Sequence, residues 1–209
     1  MRRIVLLSLL LTCIPLKVSA APSDDALTVL NSLSVKGRAA KTGYSRAQFT
    51  HWSDLDRNGC DARNDTLKRD LTALVFKVGT RDCKVITGSL LDPYSGKVIT
   101  FSSTKSTIDI DHVVALSNAW QTGAAYFDKT KRQQIANDPL NLLAVDFTLN
   151  RQKGDGDAAT WLPPLKSYRC DYVARQVAVK VKYGLWVTQP EKDAIVKILE
   201  KCVGQKLPS

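Results

Sequence analysis

The chain has 209 residues, with 30 Lys+Arg against 20 Asp+Glu and a formal charge of +10. That length suits one domain able to bury a sizeable core, and 44% hydrophobic residues, 24% charged residues, 11 Gly and 8 Pro exclude collagen-like, coiled-coil and mostly disordered chains. Beyond the N-terminus, no run approaches the ~18 uninterrupted apolar residues that a bilayer span requires.

The N-terminus has the layout of a secretory signal peptide: Arg2 and Arg3, an apolar stretch over residues 4–11, then Val18-Ser19-Ala20 as a small-residue cleavage site. Cleavage after Ala20 predicts a secreted or periplasmic protein. Loss of residues 1–20 lowers the charge to +7 and removes Cys13, leaving Cys60, Cys83, Cys170 and Cys202. An even cysteine number in an exported chain implies two disulfides. Three pairings are possible, and Cys60–Cys83 with Cys170–Cys202 is favoured because each closes a short loop within one half of the chain. A zinc site is disfavoured by the absence of any CxxC spacing.

Ser23 or Asp24 can cap a first helix carrying Leu27, Leu30 and Leu33 on one face. An Asp-rich loop follows. Within it Asp54-Leu55-Asp56-Arg57-Asn58-Gly59, with Asp65 at the twelfth position, matches part of an EF-hand-type calcium loop. Asp is a weaker bidentate ligand than Glu there and a disulfide at Cys60 would constrain the loop, so a hydrogen-bonded turn is the favoured reading over Ca²⁺. Residues 66–76 read as helix becoming extended. Residues 83–101 read as a hairpin around Asp92-Pro93-Tyr94-Ser95-Gly96. A strand is predicted over 107–114, a helix over 117–136 ending before Pro139, a short strand over 142–145, and a helix from Phe147 stopping before Pro163-Pro164. Two C-terminal helices complete the chain: 167–183, capped by Ser167 and stopped by Gly184, and one opened by a Thr188/Glu191 capping box with Pro190 in its first turn.

The chemistry concentrates in residues 109–155. Only two histidines occur. His51 lies in a polar segment, and His112 lies in the alternating strand Ile108-Asp109-Ile110-Asp111-His112. Downstream come Asn141 and then Asn150-Arg151-Gln152-Lys153-Gly154-Asp155. Strand, loop, strand, helix with Asp-His at one end and Asn at the other can hold one hard cation between a carboxylate and an amide oxygen. It leaves a neutral imidazole to take a proton from water.

These residues resemble the HNH (ββα-metal, His-Me finger) endonucleases, and in particular exported HNH proteins related to the C-terminal nuclease domain of GmrSD-type restriction enzymes. Asn58-Gly59-Cys60-Asp61-Ala62-Arg63, Ala136-Asn137-Asp138-Pro139 and Trp161-Leu162-Pro163-Pro164 extend the likeness from about Tyr44 to Cys202. The resemblance implies an α+β fold: a ββα-metal motif over about 105–160, embedded in a mostly helical, disulfide-stapled single domain spanning 21–209. It implies His112 as general base, Asp111 and Asn150 as ligands of one divalent cation (Mg²⁺, with Mn²⁺ as the alternative), and Asn141 as the brace of the loop presenting His112. Lys153 is either a phosphate contact or a solvated helix residue. Many HNH motifs carry His where this chain has Asn150, and Asn favours Mg²⁺ over softer metals.

The implied reaction is hydrolysis of phosphodiester bonds in DNA, or RNA, leaving 5′-phosphate and 3′-hydroxyl ends. The basic excess favours a polyanionic substrate, and no helix-turn-helix or zinc-finger signature supports sequence-specific cutting. Arg63 and Arg151 are candidate phosphate contacts with Lys153, and Lys68, Arg69, Lys129, Lys131 and Arg132 are weaker ones. The chain is expected to act as a monomer. The rival reading is a non-catalytic exported basic protein binding nucleic acid or an anionic surface polymer. A third is a phosphodiesterase for small or lipid-linked substrates.

Overall fold

The computed structural model describes residues 24–105 and 107–208. The expected signal peptide, its cleavage site, Cys13 and Ser23 lie outside the described residues.

Helix α1 (Ala26–Ser32) is capped by Asp25, whose carboxylate accepts from the Thr28 amide; Asp24 instead pairs with Lys206. After a 3₁₀ turn at Arg46–Phe49, α2 (Ala62–Asp70) begins at Asp61, which accepts from Asn64 N–H. This helix opens ahead of the expected start at Thr66 because Asp61 supplies an N-cap.

Strands β1 (Thr72–Phe76), β2 (Val85–Leu91) and β3 (Val98–Ser102) form an antiparallel sheet in that order. The β2–β3 turn is organised by buried Asp92. Its carboxylate accepts from the Ser95 amide and hydroxyl and from the Asp146 amide, and so fastens the turn to the second sheet.

That second sheet is the antiparallel pair β4 (Ile108–His112) and β5 (Leu142–Asp146), with Asp111 opposite Leu143 and His112 opposite Leu142. Helix α5 (Phe147–Lys153) follows directly, with the Asp146 carboxylate accepting from Leu149 N–H as its N-cap. It ends at Gly154, φ 54°, well before Pro163, because a left-handed residue terminates a helix. Between the two strands, the single helix expected over 117–136 is two: α3 (Leu116–Gln121) and α4 (Lys129–Asn137). Gly123 at φ 135° breaks the first, and Asp128 caps the second through the Lys131 amide.

The C-terminal pair is α6 (Arg169–Tyr183) and α7 (Gln189–Leu199). A 3₁₀ turn at Lys166–Tyr168 leads into α6, which has no side-chain N-cap, so Ser167 does not cap it. The Thr188/Glu191 capping box forms at α7, and Gly184 closes α6 at φ 67°. Glu191 also meets Lys180 of α6 at 2.8 Å, both side chains being buried.

Pleating sends alternate residues of the β4–β5 hairpin to opposite faces. Ile108, Ile110, Leu142 and Ala144 join Leu67, Leu90 and Phe101 in one core. Leu143, Val145 and Val113 join Tyr94, Tyr172, Val173, Val177 and Ile195 in the other. Each such buried aliphatic side chain stabilises the fold by ~1.5–3 kcal/mol. The hairpin is thus clamped between a sheet layer and a helix layer, and the result is one mixed α and β domain.

Both favoured disulfides form, Cys60–Cys83 and Cys170–Cys202. The first ties the loop before α2 to the entry of β2. The second ties the start of α6 to the turn after α7. Beside it the two ends of the described chain are laced together: Ala26 N–H donates to Gln205, Leu207 N–H donates to Asp24, and Lys206 pairs with Asp24 at 2.6 Å.

Candidate active site

Strand β4 ends on a cavity of about 630 Å³ whose lining includes Asp109, Asp111 and His112 from the strand and Asn150 and Arg151 from α5. The opposite wall brings Lys41, Tyr44, Arg46, Trp52 and Arg63 from the N-terminal third of the chain. Four cations, Lys41, Arg46, Arg63 and Arg151, share this lining with the carboxylates of Asp109, Asp111 and Asp155, and Lys41 pairs with Asp155 at 2.8 Å; an excess of cations over carboxylates along a cleft attracts anions.

His112 is almost wholly buried. One ring nitrogen, Nε2, lies 2.9 Å from the carbonyl oxygen of Ala136. A carbonyl only accepts, so Nε2 carries the proton and Nδ1 is left with its lone pair. Trp52 stacks on the ring at 5.8 Å between centroids and 28° between planes. Burial pushes the imidazole pKa down to about 3, which keeps it neutral. Trp52 itself has φ 65°, a left-handed backbone that an aromatic residue rarely adopts. His51 packs edge-on against Trp52 at 5.1 Å between centroids.

Asn141 is fully buried in the loop before β5. Its Oδ1 accepts from the Val114 amide at 2.8 Å, its Nδ2 donates to the carbonyls of Ile135 and Val114, and its own carbonyl accepts from Val113 N–H. These bonds fix the chain that continues past His112.

Asp111 points away from His112, to the helix-layer face. One oxygen accepts from the buried Tyr94 hydroxyl and the other from Lys153 Nζ at 2.9 Å. Burial raises the Asp111 pKa, and Lys153 with Tyr94 opposes that rise. Lys153, expected at phosphate or in solvent, is completely buried and also donates to the His112 carbonyl at 2.9 Å. The reason is its place in the last turn of α5, where the helix lies over β4 and its stem is enclosed. Tyr94, from the β2–β3 turn, was not singled out by sequence reasoning. It was read only as part of the Asp92–Gly96 turn, because its contact with Asp111 exists only once that turn is fastened to the second sheet.

Asn150 lines the cavity, and its Nδ2 donates to Asp109 at 3.2 Å. Arg151 sits 3.6 Å from the same carboxylate and lies over the Phe147 ring. Arg63 lies over Phe101 at the other wall. Arg69, Lys131 and Arg132 stand elsewhere. Arg69 pairs with Asp70 and donates to the carbonyls of Pro139 and Leu142, whereas Lys131 and Arg132 pack on Phe127 and Trp120. The sequence had concealed Asp109, Lys41, Arg46 and Trp52. Asp109 alone carried a clue, since it shares a strand face with Asp111.

Among the described residues, no three His, Cys, Asp or Glu side chains converge as a metal-ligand set. The oxygen donors in the cavity lining include three carboxylates, Asp109, Asp111 and Asp155, and the Asn150 amide, and donors of this kind have the hard character of Mg²⁺ sites, which rely on one or two carboxylates plus substrate phosphate and water. The Asp54–Asp65 loop is a hydrogen-bonded turn. Asp54 and Asp56 accept from the Asn58 amide, Asp56 and Asp65 accept from its side chain, and Asn58 accepts from Cys60 N–H.

Comparison with known proteins identifies the family. Residues 61–198 match the C-terminal domain of GmrSD restriction endonucleases, and the chain belongs to that family. It is also 38% identical, over 191 residues and 90% of both chains, to an uncharacterized secreted protein of Arthroderma benhamiae. No solved structure matches the chain. No helix among the described residues is long and apolar enough to cross a membrane.

Proposed function

We propose that the protein is a secreted, metal-dependent endonuclease of the HNH class that hydrolyses DNA, or RNA, with little sequence preference. The β4–β5 hairpin and α5 would act as its ββα-metal motif. The observation that carries this reading is His112: a neutral imidazole with Nε2 committed to the Ala136 carbonyl and Nδ1 left to accept a proton, at the floor of a cleft rimmed by cations. A structural histidine needs no such cleft.

In the proposed reaction Nδ1 of His112 takes a proton from the attacking water. The Ala136 carbonyl stabilises the imidazolium that results. Asn141 holds the backbone past His112 against displacement. Lys41, Arg46, Arg63 and Arg151 orient the phosphates, and contacts of this kind carry no sequence information. A divalent cation, Mg²⁺ or Mn²⁺, would rest on Asn150 and a β4 carboxylate and would neutralise the non-bridging oxygens and the departing 3′ oxygen. Lys153 holds Asp111 and the end of β4 and does not reach substrate. The products would carry 5′-phosphate and 3′-hydroxyl ends. Secretion is supported by the N-terminal sequence, the two disulfides and the printed description of the fungal relative.

The test is plasmid degradation by the mature protein with Mg²⁺, with EDTA, and with His112→Ala. Cutting that needs both metal and His112 supports the reading. Binding to DNA without cutting, across several divalent metals, would replace it with the binding-protein alternative.

A further inference from the structure

We propose that Tyr94 is a positioning residue for the metal-binding carboxylate: its hydroxyl, held in an aromatic box, sets the orientation of Asp111. The inference rests on the nuclease reading, with Asp111 and Asn150 as the ligands of the cation. It adds to that site a residue from outside the β4–β5–α5 unit.

Two motifs of the sequence have no part in the reaction above, Asp92-Pro93-Tyr94-Ser95-Gly96 and Trp161-Leu162-Pro163-Pro164. They meet at Tyr94. Its side chain is fully buried, with the rings of Trp161 at 5.0 Å, Tyr172 at 5.7 Å and Tyr168 at 6.2 Å between centroids. Leu165 N–H, just past the prolines, donates to the Tyr94 carbonyl at 2.9 Å. Asp92 fastens the same turn to Ser95 and to Asp146. A ring enclosed in this way is confined to a single rotamer, so its hydroxyl has one place to point. That place is Oδ2 of Asp111. An ionised carboxylate only accepts, so the hydroxyl donates.

With no exposed surface, Tyr94 cannot touch a phosphate. It acts on the site through Asp111, which does line the cavity. The two oxygens of a carboxylate offer about four lone-pair directions. Tyr94 occupies one on Oδ2 and Lys153 one on Oδ1, and each oxygen keeps another for a cation. The terminal torsion of an unsupported aspartate is broad. A donor on each oxygen stops that rotation, so the ligand is oriented before a cation arrives. Lys153 brings a positive charge with its bond. Tyr94 brings direction and no charge for a cation to overcome. Supports of this kind behind a metal ligand are worth about 10–100-fold in metal affinity.

The alternative role for Tyr94 is packing alone. Mn²⁺ binding, followed by loss of the free-ion EPR signal, separates the two without recourse to activity. In the mature full chain, Tyr94→Phe keeps the ring and loses the hydroxyl. It is expected to weaken Mn²⁺ binding by about tenfold while folded. Tyr172→Phe removes a buried hydroxyl from the same cluster, one that meets Gln176 instead of Asp111, and should bind Mn²⁺ as the wild type does. Thermal melts of both variants record what packing loses. If Tyr94→Phe does not fold, Trp161→Leu stands in: it keeps the Tyr94 hydroxyl, removes the ring pressed against it, and should weaken binding by about threefold. The inference is overturned if folded Tyr94→Phe, or Trp161→Leu in its place, binds Mn²⁺ as the wild type does, or if Tyr172→Phe loses as much affinity as the variant at the site. A wild-type chain that binds Mn²⁺ and cuts DNA while Tyr94→Phe keeps full affinity sinks this inference alone. One that neither binds Mn²⁺ nor cuts sinks the nuclease reading with it.

Discussion

The ammonium of Lys153 lies 2.9 Å from a carboxylate oxygen of Asp111 and 2.9 Å from the carbonyl of His112, sealed from solvent. One helix residue therefore holds both of the neighbouring strand residues to which the sequence assigns chemistry. Replacing Lys153 by Met leaves a buried, uncompensated carboxylate, and the expected loss is about 3–5 kcal/mol. Removing Asp111 as well, in a Lys153→Met/Asp111→Asn double variant, should recover part of that loss. Urea unfolding of the single and double variants checks both expectations.

Loss of the imidazole should remove the chemistry and spare the fold. For His112→Ala, plasmid cleavage is expected to fall by about 10²–10⁴-fold, the range supplied by one positioned general base. Far-UV circular dichroism should stay that of the folded protein. A variant cutting at the wild-type rate would place the base elsewhere.

Stability should also depend on pH through this residue. His112 has a folded pKa of about 3 against an ordinary value of 6.5. Between those values the unfolded chain binds the proton that the folded one refuses, so stability falls as pH drops through that window and is full above it. The slope from this group is at most about 1.4 kcal/mol per pH unit. Unfolding midpoints of wild type and His112→Asn should converge as pH is lowered from about 6 to about 4.

Asn141 supports the loop beyond His112 with both ends of its amide. Asn141→Ala would leave the buried Val114 amide and two carbonyls short of a partner, at a cost of about 3 kcal/mol. Cleavage should drop as well, since the backbone that follows the base loses its brace. Asn141→Asp preserves the acceptor for Val114 and should rank between the two in denaturant midpoint.

Breaking the Cys170–Cys202 link frees a loop with a sequence separation of 32 residues, and the Cys170→Ala/Cys202→Ala variant should lose about 3 kcal/mol. The site on β4 lies in a different part of the fold, so cleavage at a temperature where the variant is folded should persist. Thermal melts and plasmid assays at a matched folded fraction test the pair of expectations.

Much of this arrangement could be read from spacing. The strand through His112, the short apolar strand over 142–145, the Thr188/Glu191 box and the sequential cysteine pairs all carry local signals, and each element formed. What could not be read depended on contacts made only after collapse. Lys153 looked like any other basic residue near a helix end, because its partners, the Asp111 carboxylate and the His112 carbonyl, lie on a strand about 40 residues away that meets α5 only in the folded chain. Trp52 and Arg46 reach the cleft from a segment with little regular structure, so no periodicity pointed to them. Two misread boundaries did have signals: Gly123 followed by the cap Asp128 splits the helix expected over 117–136, and Gly154 ends α5 before the prolines are reached. Asp109 was visible as the same-face neighbour of Asp111.

The pairing of residues 24–26 with residues 205–207 has a practical side. The described chain returns to its starting point and fastens there, which makes the molecule nearly circular. A linker of a few residues would join the two ends at little entropic cost, and circular permutants reopened at an exposed turn should fold. Any tag, anchor or partner domain fused to one end would emerge beside the other, leaving a single point of attachment on the surface.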